Sequence, residues 1–193
     1  MQNEKKRAAT RAKLQDGFLE LYSRKSYSDI TVDRICREAG VYRATFYNYY
    51  DRKDDLLKEI EDMVTEQLVL ASDPFMEFRL DVIVRNPETI MEVYRGLISC
   101  YRENEKAIVT LLSPHANNSF FAKFKDAVNR QYTRVLELNG RKLGEKDGIM
   151  IDSFASGLVN AIYLFLSEKK LSDSEMTELL VKGNNSFLKL MME

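Results

Sequence analysis

The sequence has no tryptophan, one histidine, two cysteines, three prolines and eight glycines in 193 residues. Each scarcity excludes something. Cys36 and Cys100 are far apart in helical patterns, so they make neither a disulfide framework nor a metal set and read as small buried hydrophobes. The single histidine, His115, sits in a polar loop with no second histidine or nearby cysteine to complete a metal site. No Gly-rich loop is present to cradle a nucleotide, and no G-x-S-x-G elbow. Acidic pairs such as Asp54-Asp55 and Glu59 with Glu61 read as solvated helix faces. The chain is therefore not expected to be an enzyme, and no cofactor or metal is implied. The opening MQNEKKRAATRAK lacks the apolar run of a secretory signal. The longest apolar segment, Ser156–Leu166, contains Asn160 and falls short of the roughly 20 residues of a membrane span. A bacterial cytoplasmic protein without a membrane partner is expected.

What is present is helical pattern and divided charge. So little proline and glycine leaves little turn punctuation, and every long segment has apolar residues at helical spacing. Residues 1–50 contain ten Lys/Arg and six Asp/Glu, a net of +4, which leaves 19 and 24, a net of −5, for residues 51–193. A basic front on an acidic body points to an anionic partner for the first fifty residues. Lys5, Lys6, Arg7 and Arg11 crowd the start of the first helix, where the macrodipole disfavours cations.

The spacing predicts a first helix over about Asn3–Arg24 with an apolar stripe of Leu14, Phe18 and Leu21. Thr31 is a good N-cap for a second helix with Ile35 and Ala39 facing inward, ended by Gly40 at the C′ position. Val41 opens a third helix anchored by Phe46 and Tyr50. Asp51 is the expected N-cap of a long fourth helix reaching about Ala71. Ser72-Asp73-Pro74, Asn86-Pro87-Glu88 and Ser113–Asn118 are breaks. Helices over about Pro87–Asn104, Ala107–Ser113, Ser119–Leu138, Lys146–Glu168 and Ser172–Met191 follow. The fold class is all-α with about nine or ten helices, divided into residues 1–52 and 53–193.

Two short helices around a Gly turn suit a helix-turn-helix whose second helix enters the major groove of DNA. That helix needs apolar residues to seat it, and Val41 and Phe46 serve. It needs side chains near its start to reach base edges, and Tyr42 and Arg43 are there; an arginine paired bidentately with guanine contributes about 1–3 kcal/mol of discrimination. It needs donors for phosphate, and Thr45, Tyr47, Tyr49 and Lys53 qualify, with Thr31 at a helix start. One tyrosine alone would suit a half-buried packing role. Four between Tyr42 and Tyr50, beside Arg43, do not.

These residues also resemble the DNA-binding signature of the TetR family of bacterial transcriptional regulators. The resemblance is carried by Thr31, Ile35, Ala39-Gly40-Val41, Thr45-Phe46-Tyr47, Tyr49-Tyr50, Lys53 and Leu56-Leu57. Tyr42 and Ala44 depart from the small residues usual there, and Gly17 from the usual alanine. The resemblance implies phosphate contacts for Thr31, Thr45, Tyr47, Tyr49 and Lys53, base reading for Tyr42 and Arg43, and a homodimeric repressor on double-stranded operator DNA. A TetR-like adaptor acting through protein–protein contacts is the alternative.

In the body, small residues (Ala155, Ser156, Gly157, Ala161) among large apolar ones suit close approach of a second copy, although a helix buried within one chain would read the same way. Leu158, Ile162, Phe165, Phe187 and Leu190 are the interface candidates. Phe78, Tyr94, Tyr101, Phe121, Tyr132 and Phe154 are candidates to line a cavity for a small, partly apolar inducer, with Arg79 and Arg95 on nearby helices; core packing is the other role open to them. The run Tyr101-Arg102-Glu103-Asn104, Ile108, Leu111-Leu112, then Ser119-Phe120-Phe121 and Lys123, resembles the regulatory domain of dihydroxyacetone-kinase-type regulators. That resemblance leaves both a small molecule and a protein partner open.

Overall fold

In the computed structural model the backbone is described over residues 2–193 and side chains from residue 4. Among the described residues there are ten α-helices and no strand, the all-α class that the periodicity implied. They are α1 (Gln2–Tyr22), α2 (Val32–Ala39), α3 (Arg43–Tyr47), α4 (Lys53–Ser72), α5 (Leu80–Arg85), α6 (Met91–Glu103), α7 (Glu105–Leu111), α8 (Ser119–Leu138), α9 (Glu145–Glu168) and α10 (Asp173–Met192). Short 3-10 turns occupy Tyr27–Asp29, Asp73–Glu77 and Pro87–Ile90, the last two starting beside or at the prolines that cannot continue an α-helix.

The chain forms two compact units, Met1–Val64 with Lys106–Phe120, and Thr65–Glu105 with Phe121–Glu193. In the first, Leu14, Phe18 and Tyr22 of α1, Ile35 of α2, Phe46 of α3 and Leu56 and Ile60 of α4 are all fully buried. Gly17 allows the close approach of α1 and α2: a Cβ built there would lie 3.0 Å from the Ala39 backbone nitrogen. The returning segment is tied to α1, with the Asn117 amide donating to the Tyr22 hydroxyl at 2.9 Å and Lys106 paired with Glu20 at 3.3 Å.

In the second unit α10 lies against α5, α6 and α9. Phe154 and Phe187 stack with centroids 4.1 Å apart, and Tyr132 meets both edge-on at 5.2 and 5.4 Å. Such pairs add about 0.5–1.5 kcal/mol each beyond area burial. Arg102 lies over the Phe165 ring at 4.3 Å and donates to Asp173 at 2.8 Å, tying the start of α10 to α6. Ser172 and Glu175 form the capping box that starts α10.

The structure adjusts two sequence expectations. α4 begins at Lys53, and its start is closed by Asp55, which accepts from the Arg52 amide at 2.9 Å, in place of a cap at Asp51. α9, at 24 residues, is long and apolar enough by composition to cross a bilayer, which the interrupted apolar run in the sequence did not reveal. Its Asp152 is paired with Lys125 at 2.6 Å and accepts from Asn129 at 3.0 Å, contacts to α8 made inside the unit.

Candidate nucleic-acid interface

Local chemistry builds the first unit's outer edge. The Thr31 hydroxyl accepts from the Arg34 amide at 3.3 Å and caps α2. Gly40 ends that helix at φ 64°, a left-handed conformation that a Cβ would oppose. The Val41 amide then donates to the Cys36 carbonyl at 2.9 Å, completing the helix stop. Tyr42 caps α3 from extended backbone, and Phe46, fully buried, seats the five-residue helix, which lies against α2.

This pinning decides what is left outside. Tyr42 is 86% exposed, the most exposed large hydrophobic side chain among the described residues. Arg43 is also exposed and is braced: it donates to Asp33 at 3.0 Å and to the Tyr47 hydroxyl at 3.2 Å, with its guanidinium 5.6 Å from the Tyr47 ring centre. Tyr47 is exposed, while Thr45 and Tyr49 are half-buried. With Thr31 also exposed, six of the seven residues expected at DNA are exposed or half-buried on α3 and the segments flanking α2 and α3.

Lys53 differs. Its ammonium donates to the Tyr27 carbonyl at 2.7 Å and the Ile30 carbonyl at 2.8 Å, and lies 4.1 Å from the Tyr27 ring centre. It closes the turn between α1 and α2, and only one of its three N–H donors remains for another partner. The Tyr27 hydroxyl in turn donates to Asp54 at 2.7 Å, a bond that holds the Asp54 carboxyl below its usual range.

Sequence reading did not anticipate two features. Asp33 positions Arg43, a partnership across ten residues and a turn. Glu59 of α4 is a hub, accepting from Gln15 at 2.8 Å, from the Tyr50 hydroxyl at 2.8 Å, and from Arg11. Burial pushes the Glu59 carboxyl up, but the bonds from Arg11, Tyr50 and Gln15 outweigh this and hold it below the usual carboxylate range. Burial and Glu59 push the Tyr50 hydroxyl up to about 12, so it remains a donor at working pH. Glu59 lacks a local signal: its partners lie 9 to 48 residues away.

In the second unit a cavity of about 50 Å³ is lined by Tyr94, Tyr101 and Tyr132 from the expected set, together with Phe75, Leu97, Phe124 and Gln131 among others. Phe78, Phe121 and Phe154 are not part of its wall. Phe154 is occupied by its stack with Phe187, and Arg79 and Arg95 are exposed and paired with Asp81 and Glu92. Burial pushes the hydroxyls of Tyr94, Tyr101 and Tyr132 up, so the wall carries no charge. Tyr132 donates to the buried Asn184 at 2.6 Å.

Of the five residues expected between copies, Ile162, Phe165 and Phe187 are buried within this chain; Phe165 lies under Arg102 of α6, and Phe187 packs on Phe154 of α9 and Tyr132 of α8. Leu158 is half-buried between the cavity and a groove, and Leu190 is exposed. The outward faces carry Ile149, Gly157 and Leu164 on α9, and Leu179, Gly183 and Leu190 on α10.

Residues 16–60 match the family model described as bacterial regulatory proteins, tetR family. A Bacillus subtilis (strain 168) protein, the uncharacterized HTH-type transcriptional regulator YxbF, is 32% identical over 113 residues, which is 56% of this chain and 24% of that protein. The chain thus spans about a quarter of the length of that curated relative. A TetR-family transcriptional regulator structure from Syntrophomonas wolfei str. Goettingen superposes with a TM-score of 0.68 at 20% identity over 95% of each chain. The dihydroxyacetone kinase operon activator DhaS superposes with a TM-score of 0.59 at 15% identity over 95% of this chain and 96% of that one. At these identities the two structures show a shared fold.

Proposed function

From a chain whose first helices are a TetR-family helix-turn-helix on the all-α fold of that family's solved structures, we propose a homodimeric, sequence-specific repressor that a ligand or protein partner releases from its operator. The observation that carries DNA reading is the outward pair Tyr42 and Arg43 at the start of a helix whose seating residue, Phe46, is fully buried. An exposed aromatic next to a braced arginine contributes little to folding and fits a base edge. Thr31, Thr45, Tyr47 and Tyr49 surround that pair and supply phosphate contacts, and Lys53 has one donor left for the same task. Residues 1–52 serve as the reading head and 53–193 as the body. The operator places the protein in the cytoplasm.

An electrophoretic shift with the DNA flanking the protein's own gene tests this. Specific binding that weakens steeply with salt is required. Arg43→Ala should relax sequence preference, and Tyr47→Phe should weaken binding to all sequences alike. Absence of specific binding to any flanking fragment would overturn the reading.

A single short reading helix contacts few bases, and two-fold sites space their halves by about 34–36 Å. The second copy is supported by the outward α9/α10 face, where Leu164, Leu179 and Leu190 are exposed around Gly157 and Gly183. Exposed apolar residues gathered on one face mark an interaction surface. For the release signal, the uncharged cavity favours a neutral, partly apolar molecule. At about 50 Å³ it must open several-fold, since ligand sites typically have roughly 300–1,000 Å³. A screen in which no neutral metabolite shifts the melting temperature or operator affinity would leave the protein-partner route.

A further inference from the structure

The inner cavity of the second unit, about 50 Å³, and a groove of about 420 Å³ on the α9/α10 face share part of their walls, since Tyr94 and Leu158 line both. We propose that the two spaces are parts of one ligand site, parted by Leu158, for a neutral aliphatic molecule bearing a carbonyl acceptor that the Tyr101 hydroxyl anchors. The proposal rests on the ligand-release reading above and adds to it the class of molecule, its anchor and its way in.

Two buried polar groups point to an occupant. Tyr101 of α6 is 4% exposed and lines the cavity, and among the described residues its hydroxyl makes no hydrogen bond. Burial pushes that hydroxyl up, so it keeps its proton and acts as a donor. The other polar groups of the wall are already engaged. The Tyr132 hydroxyl donates to Asn184 at 2.6 Å with the Tyr94 hydroxyl facing its oxygen, and the Gln131 amide donates to the Val69 carbonyl at 3.4 Å. At the groove end Asn184, 1% exposed, accepts from Tyr132 through Oδ1 and leaves its Nδ2 without a partner. Each space thus holds an unpaired buried donor, an unfavourable state that an acceptor in the site relieves. No charged side chain lines either space.

The volumes agree with a joined site. Ligand sites typically have roughly 300–1,000 Å³, so the cavity alone is too small while cavity and groove together are not. Leu158 is half-buried at the partition, and a change of its rotamer joins the two spaces. The carbonyl head then sits at Tyr101 and the chain passes Leu158 into the groove, against Phe154, Ala161 and Leu180. A carboxylate head is rejected, because burying a charge without a cation beside it is costly. Gly157, Leu179 and Gly183 line the groove and also lie on the face assigned above to a second copy, so an occupant alters the surface that two copies share.

The test uses the full chain, with methyl octanoate and octanoate as probes in titration calorimetry and operator affinity by fluorescence anisotropy as a separate reading. The ester should bind, and octanoate, ionised at about pH 7, should bind at least roughly tenfold more weakly. Tyr101→Phe should weaken the ester roughly threefold to tenfold, the range of one neutral hydrogen bond. Without ligand the same variant should melt no lower than the parent, since the hydroxyl it lacks has no partner in the chain. A variant that melts several degrees lower overturns the anchor, because the hydroxyl would then be bonded internally. Leu158→Trp fills the partition and should abolish ester binding; a folded variant that binds like the parent shows two separate spaces, and the proposal fails. Where the tryptophan prevents folding, the two readings on Tyr101→Phe decide alone. Octanoate binding as tightly as the ester, or no ester binding by the parent, also overturns the proposal, while operator binding by the parent keeps the regulator reading standing. Ester binding by these rules with operator affinity unmoved supports the site and overturns the release role given to it.

Discussion

Replacing Lys53 with methionine removes a brace that is formed in the absence of DNA. Methionine keeps most of the apolar stem and deletes the ammonium. Lost with it are two hydrogen bonds, to the Tyr27 and Ile30 carbonyls at 2.7 and 2.8 Å, and the contact with the Tyr27 ring at 4.1 Å. Hydrogen bonds to a charged group contribute about 1.5–3 kcal/mol each when buried, and a partly exposed cation over a ring about 0.5–1 kcal/mol. Lys53 is half-buried, so water recovers part of this, and the net loss should be about 2 kcal/mol. For a chain of this length that lowers the melting temperature by roughly 4–8 °C. Scanning calorimetry or thermal circular dichroism reads that shift, and fluorescence anisotropy with the operator reads DNA affinity. The brace predicts that stability and affinity fall together, because the turn that places Thr31 and α2 is loosened. A variant that melts within about 1 °C of the parent while losing affinity would refute the brace and make Lys53 a phosphate contact alone.

Three further outcomes follow from the same geometry. Glu59, held below its ordinary pKa by Arg11, Tyr50 and Gln15, contributes stability that is present above the unfolded carboxylate range and is lost as pH falls through the lower folded value. Glu59→Gln should therefore lower stability by about 1 kcal/mol at pH 7 and flatten the loss of stability below about pH 4.3; an unaltered urea-midpoint profile against pH would count against the hub. Gly17→Ala gains about 1 kcal/mol of helix propensity but forces a Cβ to 3.0 Å from the Ala39 backbone, and such overpacking costs about 1–3 kcal/mol. A net loss of about 1 kcal/mol in chemical denaturation is expected, and a gain would show that α2 yields freely. Leu179→Glu places a charge on the exposed α10 face without disturbing the core, so sedimentation should show monomers with a native melting curve and weak operator binding. A dimer of unchanged affinity would move the copy interface elsewhere.

The helix-turn-helix was legible because its signals are local. Thr31 caps within three residues, Gly40 stops its helix through its own left-handed backbone, and Phe46 and Tyr50 are one turn apart on a buried face. Distances this short leave tertiary structure little to alter. The body was legible as helices and breaks, but not as faces. Ile162, Phe165 and Phe187 have the same apolar character as Leu164, Leu179 and Leu190, and only packing decides which set is covered within one chain.

The residue pattern by itself therefore determined the fold class, the helix-turn-helix and its likeness to one family's DNA-binding signature, all of which follow from backbone chemistry and side-chain period over a few residues. Tertiary structure alone decided that Lys53 braces a turn, that Glu59 of α4 ties α1 to Tyr50 beyond the end of α3, that Arg43 is positioned by Asp33, that the cavity wall is uncharged, and that Lys6 and Arg7 share a cleft with Asn48 and Tyr49. Each of these joins groups that are distant in sequence or separated by a turn. Whether a charge finds a carbonyl, a carboxylate or open solvent depends on how helices cross, and a linear pattern does not specify a crossing.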